Sequence, residues 1–277
     1  MAYSSICGRK PGGLATRVVT GVALAAVAIA AVWAGGVAFT ALVSVAVLLM
    51  SAEWSVMHGI ARGFRLASLV VLAFVAGVTV YVGAADALIV LAASAGAIGL
   101  FMRGFDRRRA FWVAAGLIYC GLPMVALLWL RGHEGGVLLA GWPLAIVWAT
   151  DIAAFFVGRS LGGPLLAPGI SPKKTWAGAF GGVTAAAMLG ALVPLYFASR
   201  GVVDQDRLVL PAVGIAALLS IVAIAGDLFE SWLKRRAGVK DSGNLLPGHG
   251  GVMDRIDGVV PVVVIAAMLA YAIGMTR

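Results

Sequence analysis

The chain is poor in charge, cysteine and histidine, and each shortage excludes a class of protein. Only 12% of its 277 residues are charged, against about 25% in soluble domains, and its mean hydropathy is +1.02. A soluble fold of this size would lack the polar surface that it needs. The two cysteines, Cys7 and Cys120, lie far apart in the sequence and suggest neither a disulfide framework nor a zinc site, and a lone histidine such as His249 is a poor basis for assigning a metal. The composition therefore indicates an integral membrane protein.

The chain is rich in apolar stretches long enough to cross a bilayer. Because a spanning helix needs about 20 mainly apolar residues, we predict an all-α, polytopic membrane protein with about nine transmembrane helices. The first two stretches are short and close together, so they form either a tight helical hairpin or a partly re-entrant pair. One membrane domain covers 1–277, with N-terminal helices over 17–158 and catalytic helices and cytoplasmic loops over 159–277. The nine stretches are roughly 17–33, 36–52, 64–83, 85–102, 110–130, 136–158, 177–198, 208–230 and 252–274.

The basic residues orient these spans. A net charge of +9 would suggest nucleic acid in a soluble chain, but in a membrane protein Lys and Arg mark cytoplasmic loops and meet anionic lipid headgroups. With a cytoplasmic N-terminus, the inner segments hold 17 of the 21 basic residues, and the outer segments hold the other four. We therefore expect a cytoplasmic N-terminus, a multi-pass protein of the cell membrane, and no nucleic-acid partner. The outer four are Arg131, Arg200, Arg207 and Arg277.

Polar residues cluster at the end of the eighth predicted span. Asp227, Glu230, Ser231 and Lys234 are spaced i, i+3, i+4 and i+7, so they share one helix face. Asp227 follows an unbroken apolar stretch, where a merely solvated face has no need of an acid. It is therefore a candidate ligand for a hard divalent cation.

A glycine-rich loop leads from that helix to the last span. Gly238, Gly243, Gly248, Gly250 and Gly251 permit close approach of the backbone to a ligand. Two acids that share a helix face follow the loop, and together with the acid of the eighth span they predict a Mg²⁺ site, because Mg²⁺ takes one or two carboxylates plus substrate phosphates. The predicted metal ligands are Asp227, Asp254 and Asp257.

Two further elements point to phosphate. Asp151 lies about 12 Å up its helix from Arg159, at 1.5 Å per residue, and an ionisable group at that depth usually lines a polar cavity. Pro164, Pro168 and Pro172 forbid a continuous helix. The segment that follows combines lysines and hydroxyls just before a helix start, which suits an anion. The candidate substrate-binding residues are Asp151, Ser171, Lys173, Lys174, Thr175 and Arg235.

Residue chemistry alone thus predicts a cytoplasm-facing, Mg²⁺-dependent site that handles a lipid phosphate and a nucleotide or similar polyphosphate. Beyond this, the segment 231–257 resembles the signature of the phosphatidate cytidylyltransferases, as do Gly226-Asp227-Leu-x-Glu230-Ser231 and Ser171-Pro-Lys-Lys-Thr-Trp. The signature reads Ser231-Trp-Leu-Lys234-Arg235, Lys240-Asp241-x-Gly243, Leu246-Pro247-x-His249-Gly-Gly and Asp254-Arg255-x-Asp257.

The resemblance implies that CTP and phosphatidate give CDP-diacylglycerol and pyrophosphate, with Mg²⁺ and a K⁺ ion that shares the site, in a homodimer. Asp227 and Asp254 would be the metal-binding carboxylates. The family often has Glu where Ala177 stands, and its Asp-Thr-Gly-Ala-Tyr reads Asp151-Ile-Ala-Ala-Phe here. The residues that fall on signature positions, and are therefore candidate catalytic residues, are Ser231, Lys234, Lys240, Asp241, His249 and Arg255.

Three alternatives stay open at the level of sequence. A CDP-alcohol phosphatidyltransferase would continue Asp254-Arg-Ile-Asp257-Gly258 with Ala-Arg and a further acid, but Pro261-Val262 follow. A polyprenol kinase shares membrane phosphate chemistry and lacks such a contrary feature. A transporter would carry polar residues at several depths, whereas the charges here concentrate at one surface.

Overall fold

The computed structural model describes residues 14–104, 106–199, 205–243, 245 and 250–274. Among the candidate site residues, His249 lies outside the described residues. The fold is all-α apart from one short hairpin, which confirms the predicted class. The helices are α1 (Leu14–Ala34), α2 (Gly36–Met57), α3 (Arg62–Tyr81), α4 (Ala84–Arg103), α5 (Arg107–Gly132), α6 (Gly136–Leu161), α7 (Trp176–Ser199), α8 (Gln205–Arg236), α9 (Met253–Ile256) and α10 (Val259–Ala272).

Each predicted apolar stretch corresponds to an apolar helix, within a few residues at most ends. In the described part of the chain, seven helices are long and apolar enough to cross a membrane, and α10 and the apolar part of α1 (Val19–Ala34) are shorter. The last predicted span, 252–274, is divided: α9 and α10 are separate helices. The number of membrane crossings and the side on which the N-terminus lies stay predictions.

The join between α1 and α2 is a single residue. Gly35 lies between them with a φ of 63°, a region that favours glycine. Arg131, at the end of α5, donates from Nε to the carbonyl oxygen of Val32 at 2.6 Å and from a terminal guanidinium nitrogen to that of Trp33 at 3.2 Å. These bonds satisfy carbonyls that the end of α1 leaves without helical partners.

Small residues let α6 and α7 approach closely. A Cβ on Gly178 would lie 2.7 Å from the carbonyl oxygen of Ala154, and one on Gly158 would lie 3.4 Å from the Cα of Gly178. Helices in a membrane associate through such small-residue contacts and through hydrogen bonds between helices. The Thr150 hydroxyl supplies one of the latter, donating to the Ser220 hydroxyl of α8 at 2.8 Å.

The proline-containing segment between α6 and α7 forms an antiparallel hairpin, which confirms that the helix is interrupted there. Strand β1 (Leu165–Ala167) pairs with β2 (Ser171–Thr175). The backbone N–H of Trp176 donates to the carbonyl of Pro164 at 3.0 Å, and the N–H of Gly178 donates to the Thr175 hydroxyl at 3.1 Å. Thr175 therefore caps the first turn of α7, and the hairpin delivers the lysines of β2 to that helix end.

The ends of several helices meet at one end of the bundle. The Trp54 indole near the end of α2 donates to the carbonyl of Trp112 in the second turn of α5 at 2.8 Å. Lys174 of β2 contacts α8, and the end of α8 contacts α9. Residues that are far apart in the sequence thus converge on the region that follows α8.

Candidate active site

Lys174 and Asp227 form the first half of the site. The Lys174 ammonium lies 2.5 Å from an Asp227 carboxylate oxygen, and both side chains are partly exposed. On the same helix face, the Ser231 hydroxyl donates to the other Asp227 oxygen at 3.4 Å. Two predicted elements, the β2 lysines and the acidic face of α8, are therefore brought into contact.

Lys234 forms the second half, one helical turn further along α8. Its ammonium lies 3.1 Å from a Glu230 carboxylate oxygen and 2.6 Å from an Asp254 oxygen. The contact with Asp254 has hydrogen-bond geometry, whereas the one with Glu230 is an ion pair by distance only. Glu230 is fully buried. A buried carboxylate needs a facing cation and hydrogen bonds; Lys234 supplies the cation, and neither Glu230 oxygen has a hydrogen-bond partner among the described residues.

Asp254 holds the glycine-rich loop against Lys234. Its carboxylate accepts hydrogen bonds from the backbone N–H groups of Ser242 at 3.0 Å and Gly251 at 2.9 Å. Burial opposes ionisation of this carboxyl, but the bonds from Lys234 and from the two N–H groups outweigh it and lower the pKa of Asp254. It is thus a carboxylate that organises both ends of the loop.

Glu53 also contacts the glycine-rich loop, although its sequence position did not single it out as a candidate site residue. It lies near the end of α2 and is 4% exposed. Its carboxylate accepts from the Ser242 hydroxyl at 3.0 Å and from the backbone N–H groups of Val252 and Met253 at 2.9 Å each. A signal was present, because Glu53 is the only ionisable residue of α2, and an isolated charge in an apolar helix is costly unless it has a role.

Two of the loop glycines pack directly against Glu53. A Cβ on Gly243 would lie 2.7 Å from one Glu53 oxygen, and a Cβ on Gly251 would lie 2.6 Å from the other. The predicted close approach of the backbone is therefore real, but at these two positions the group approached is Glu53.

Further acids lie around Asp227. Asp257, which precedes α10, is close enough to Asp227 and Asp151 to interact with both electrostatically. Burial, and after it the Asp227 charge, raises the pKa of Asp257 to about 7. Asp151 also interacts with Asp227 and Lys174, and its side chain is exposed. A polar site therefore reaches Asp151, as its depth in the sequence predicts.

The carboxylates differ in how many oxygen lone pairs they have left to bind a cation. Asp254 already accepts from Lys234 and from two backbone N–H groups, so few of its roughly four lone pairs are free. Asp227 has Lys174 and a long bond from Ser231, and Asp257 accepts from the N–H of Gly258 at 2.8 Å. Within the described ranges, no three His, Cys, Asp or Glu side chains form a ready metal cluster, so a metal here would need ligands from substrate.

The remaining candidates differ in their exposure. Ser171 lies at the start of β2, half-buried. Arg255 is exposed, and its backbone N–H donates to the carbonyl of Val252 at 3.0 Å. The other four are exposed, and no ion pair within the described part of the chain joins them to the acids. They are Lys173, Arg235, Lys240 and Asp241.

Comparison with known proteins shows which family this chain resembles. The model of the cytidylyltransferase family matches residues 15–273. A phosphatidate cytidylyltransferase of Brucella suis biovar 1 is 42% identical over 268 residues, which cover 94% of this chain and 93% of the relative. The enzyme of that name from Pseudomonas aeruginosa is 41% identical over 162 residues, which cover 55% of this chain and 58% of the relative. A Helicobacter pylori protein of the same name is 42% identical over 140 residues, covering 50% and 49% respectively.

Proposed function

This chain belongs to the cytidylyltransferase family, and from that premise we infer that it is a phosphatidate cytidylyltransferase. It transfers the cytidylyl group of CTP to phosphatidate and gives CDP-diacylglycerol and pyrophosphate, a step of phospholipid synthesis. The observation that carries this function is the pairing of Lys174 with Asp227 and of Lys234 with Asp254. Those pairs place two cations and two carboxylates where helices and loops meet at one end of a membrane bundle.

The reaction needs no nucleophile from the protein. A phosphate oxygen of phosphatidate attacks the α-phosphorus of CTP, and the bond from that phosphorus to the bridging oxygen breaks to release pyrophosphate. Both substrates are anions, so the main barrier that the protein can lower is their repulsion. Lys174 and Lys234 supply positive charge on either side of Asp227 and Glu230. Because a phosphomonoester is already largely ionised near pH 7, a strong general base is unnecessary.

The donor set fits Mg²⁺. Asp227 and Asp257 are oxygen ligands with lone pairs left over, and a site with one or two carboxylates completed by substrate phosphates is typical of this ion. Asp254 is the third proposed ligand, although the loop already occupies most of its capacity. When bound, Mg²⁺ supplies charge neutralisation at the phosphates. A K⁺ ion that shares the site belongs to the same proposal.

We also propose that the protein is a homodimer in the cell membrane with its site facing the cytoplasm. The excess of Lys and Arg on the segments that adjoin the site supports this orientation. It also places the site where nucleotides are.

An omission assay tests the function. The purified protein is given phosphatidate, labelled CTP and Mg²⁺ in detergent micelles, and each component is left out in turn. A labelled liponucleotide is expected only when all three are present. If no liponucleotide forms under any condition, the proposed function is wrong.

A further inference from the structure

A large apolar groove runs along a face of α8 other than the one that carries Asp227 and Lys234. It encloses about 1250 Å³ between α5, α8 and α10, more than the roughly 300–1,000 Å³ of a typical small-molecule site. Phe111, Phe229 and Trp232 line it and are 63%, 47% and 38% exposed. Since these rings belong to membrane helices, the groove is accessible from the hydrocarbon region of the bilayer.

The mouth of the groove is polar and basic. A second pocket of about 320 Å³ adjoins it and shares Arg108, Trp112, Leu233 and Arg236 with it. His58 lies in this pocket, stacked on Trp112 at 4.0 Å between ring centroids. Burial and the nearby Arg108 charge lower the pKa of His58, against the opposite effect of its backbone bond to Trp54.

The two arginines at the mouth are available for an anion. Among the described residues, Asp106 is the only acid that lines the small pocket. Its carboxylate accepts from backbone N–H groups of α5 and pairs with Arg109 at 3.2 Å. No carboxylate of the described residues pairs with Arg108 or Arg236, and the Arg236 guanidinium lies 5.3 Å from the centre of the Trp232 ring. Arginine is well suited to phosphate because of its planar fork of donors.

The groove also contains an unused donor. The Tyr119 hydroxyl is buried at the groove wall and finds no hydrogen-bond partner among the described residues. Buried hydroxyls of this kind normally have an acceptor. An ester carbonyl of a lipid in the groove would supply one.

We propose that the groove is the binding site of the phosphatidate substrate: its acyl chains lie in the groove, and its phosphate lies at the mouth between Arg108 and Arg236. This inference rests on the proposed function for the identity of the lipid. One face of α8 carries Phe229 and Leu233 on the groove, and another carries the ion pair of Glu230 with Lys234. The lipid groove and the polar site thus lie against different faces of the same helix.

Binding is measured without CTP or metal, so it does not depend on turnover. The intact protein is placed in phosphatidylcholine nanodiscs that contain a small fraction of phosphatidate with brominated chains, which quench tryptophan fluorescence at short range. Trp54, Trp112 and Trp232 line the groove. Brominated phosphatidylcholine at the same fraction measures the background quenching by bulk lipid. We expect phosphatidate to give an additional, saturating quenching.

Variants locate the site. Arg108→Gln and Arg236→Gln should each weaken the phosphatidate-specific quenching by about fivefold in apparent Kd, the typical effect of one basic residue on an anionic lipid. Trp232→Phe should reduce its amplitude. Arg62→Gln and Trp33→Phe are matched controls, because these residues lie on other helices and line neither pocket, and both should leave it unchanged. In turnover assays, Arg236→Gln should raise KM for phosphatidate and leave KM for CTP unchanged.

The outcomes separate the two proposals. Equal quenching by the two brominated lipids, or unchanged quenching in both arginine variants, would overturn the inference even if the enzyme is active. Absence of quenching by either brominated lipid, as expected if a second copy of the chain covers the groove, would overturn it too. Specific quenching in a protein that forms no liponucleotide would support the groove site and refute the proposed reaction.

Discussion

Replacing Glu53 by alanine should open the glycine-rich loop while leaving the helical bundle assembled. The substitution removes the acceptor for the Ser242 hydroxyl and for the backbone N–H groups of Val252 and Met253. A buried N–H left without a partner costs about 1–3 kcal/mol, so the two backbone groups together disfavour the ordered loop by about 2–6 kcal/mol. Because about 1.4 kcal/mol is a factor of ten, even the lower figure reduces the ratio of ordered to open loop by about thirtyfold.

Two measurements detect the opening of the loop in Glu53→Ala. Trypsin cleavage after the exposed Lys240 follows the open population when opening is faster than cleavage, so its rate should rise by about thirtyfold or more. CDP-diacylglycerol formation should fall by about tenfold or more, because Asp254 and Lys234 are positioned by the same loop.

The controls separate a positioning role from general instability. Glu53→Gln keeps one carbonyl acceptor and the side-chain volume, so it should retain more activity than alanine. Glu134→Ala removes an exposed acid elsewhere in the chain and should change neither measurement. Wild-type activity together with wild-type resistance to trypsin in Glu53→Ala would refute the reasoning.

Three further predictions follow from the site. Asp227→Asn and Asp254→Asn should each abolish Mg²⁺-dependent turnover in a protein that still inserts into membranes, and near-normal activity in either would remove that residue from the proposed metal site. Lys174→Gln should raise KM for CTP by about tenfold through loss of a charge-assisted contact, with Lys174→Arg as a partial rescue; an unchanged KM would exclude the lysine from the nucleotide site. Gly251→Ala should lower both the thermal midpoint of unfolding and the activity, because the new Cβ would meet Glu53 and Ser242. Gly214→Ala on the open face of α8 should lower neither, because a Cβ there meets no atom within 4 Å. Equal effects of the two substitutions would contradict the packing of the loop.

The helices and the cluster of Asp227, Ser231 and Lys234 were predictable, because the patterns that indicate them lie within short stretches of sequence. Apolar runs located the spans, and the spacing of Asp227, Ser231 and Lys234 placed them on one face of α8, where Ser231 contacts Asp227. The prolines between α6 and α7 correctly predicted an interruption, but the β1–β2 hairpin itself was not predicted, because pairing depends on backbone register that no local pattern specifies here.

Contacts between distant helices were not predictable from one sequence. Glu53 contacts the loop from about 190 positions away, and only its isolation in an apolar helix indicated a role. Arg108 and Arg236 read as topology signals, since nothing local shows that α5 and α8 face each other. The charge of Asp254 predicted a metal ligand, yet its carboxylate accepts hydrogen bonds from Lys234 and from two backbone N–H groups of the loop. Those bonds depend on the path of the backbone, which the sequence alone does not show.

The fate of the α-phosphorus of CTP is the most direct test of cytidylyl transfer at the site around Asp227. CTP labelled at the α-phosphate and CTP labelled at the γ-phosphate are supplied separately with phosphatidate and Mg²⁺ to the wild-type protein and to Asp227→Asn. We expect the wild-type protein to transfer the α label to lipid and to release the γ label as pyrophosphate, and Asp227→Asn to do neither. Transfer of the γ label to lipid would identify a kinase instead, and equal transfer of the α label by both proteins would contradict the site assigned around Asp227.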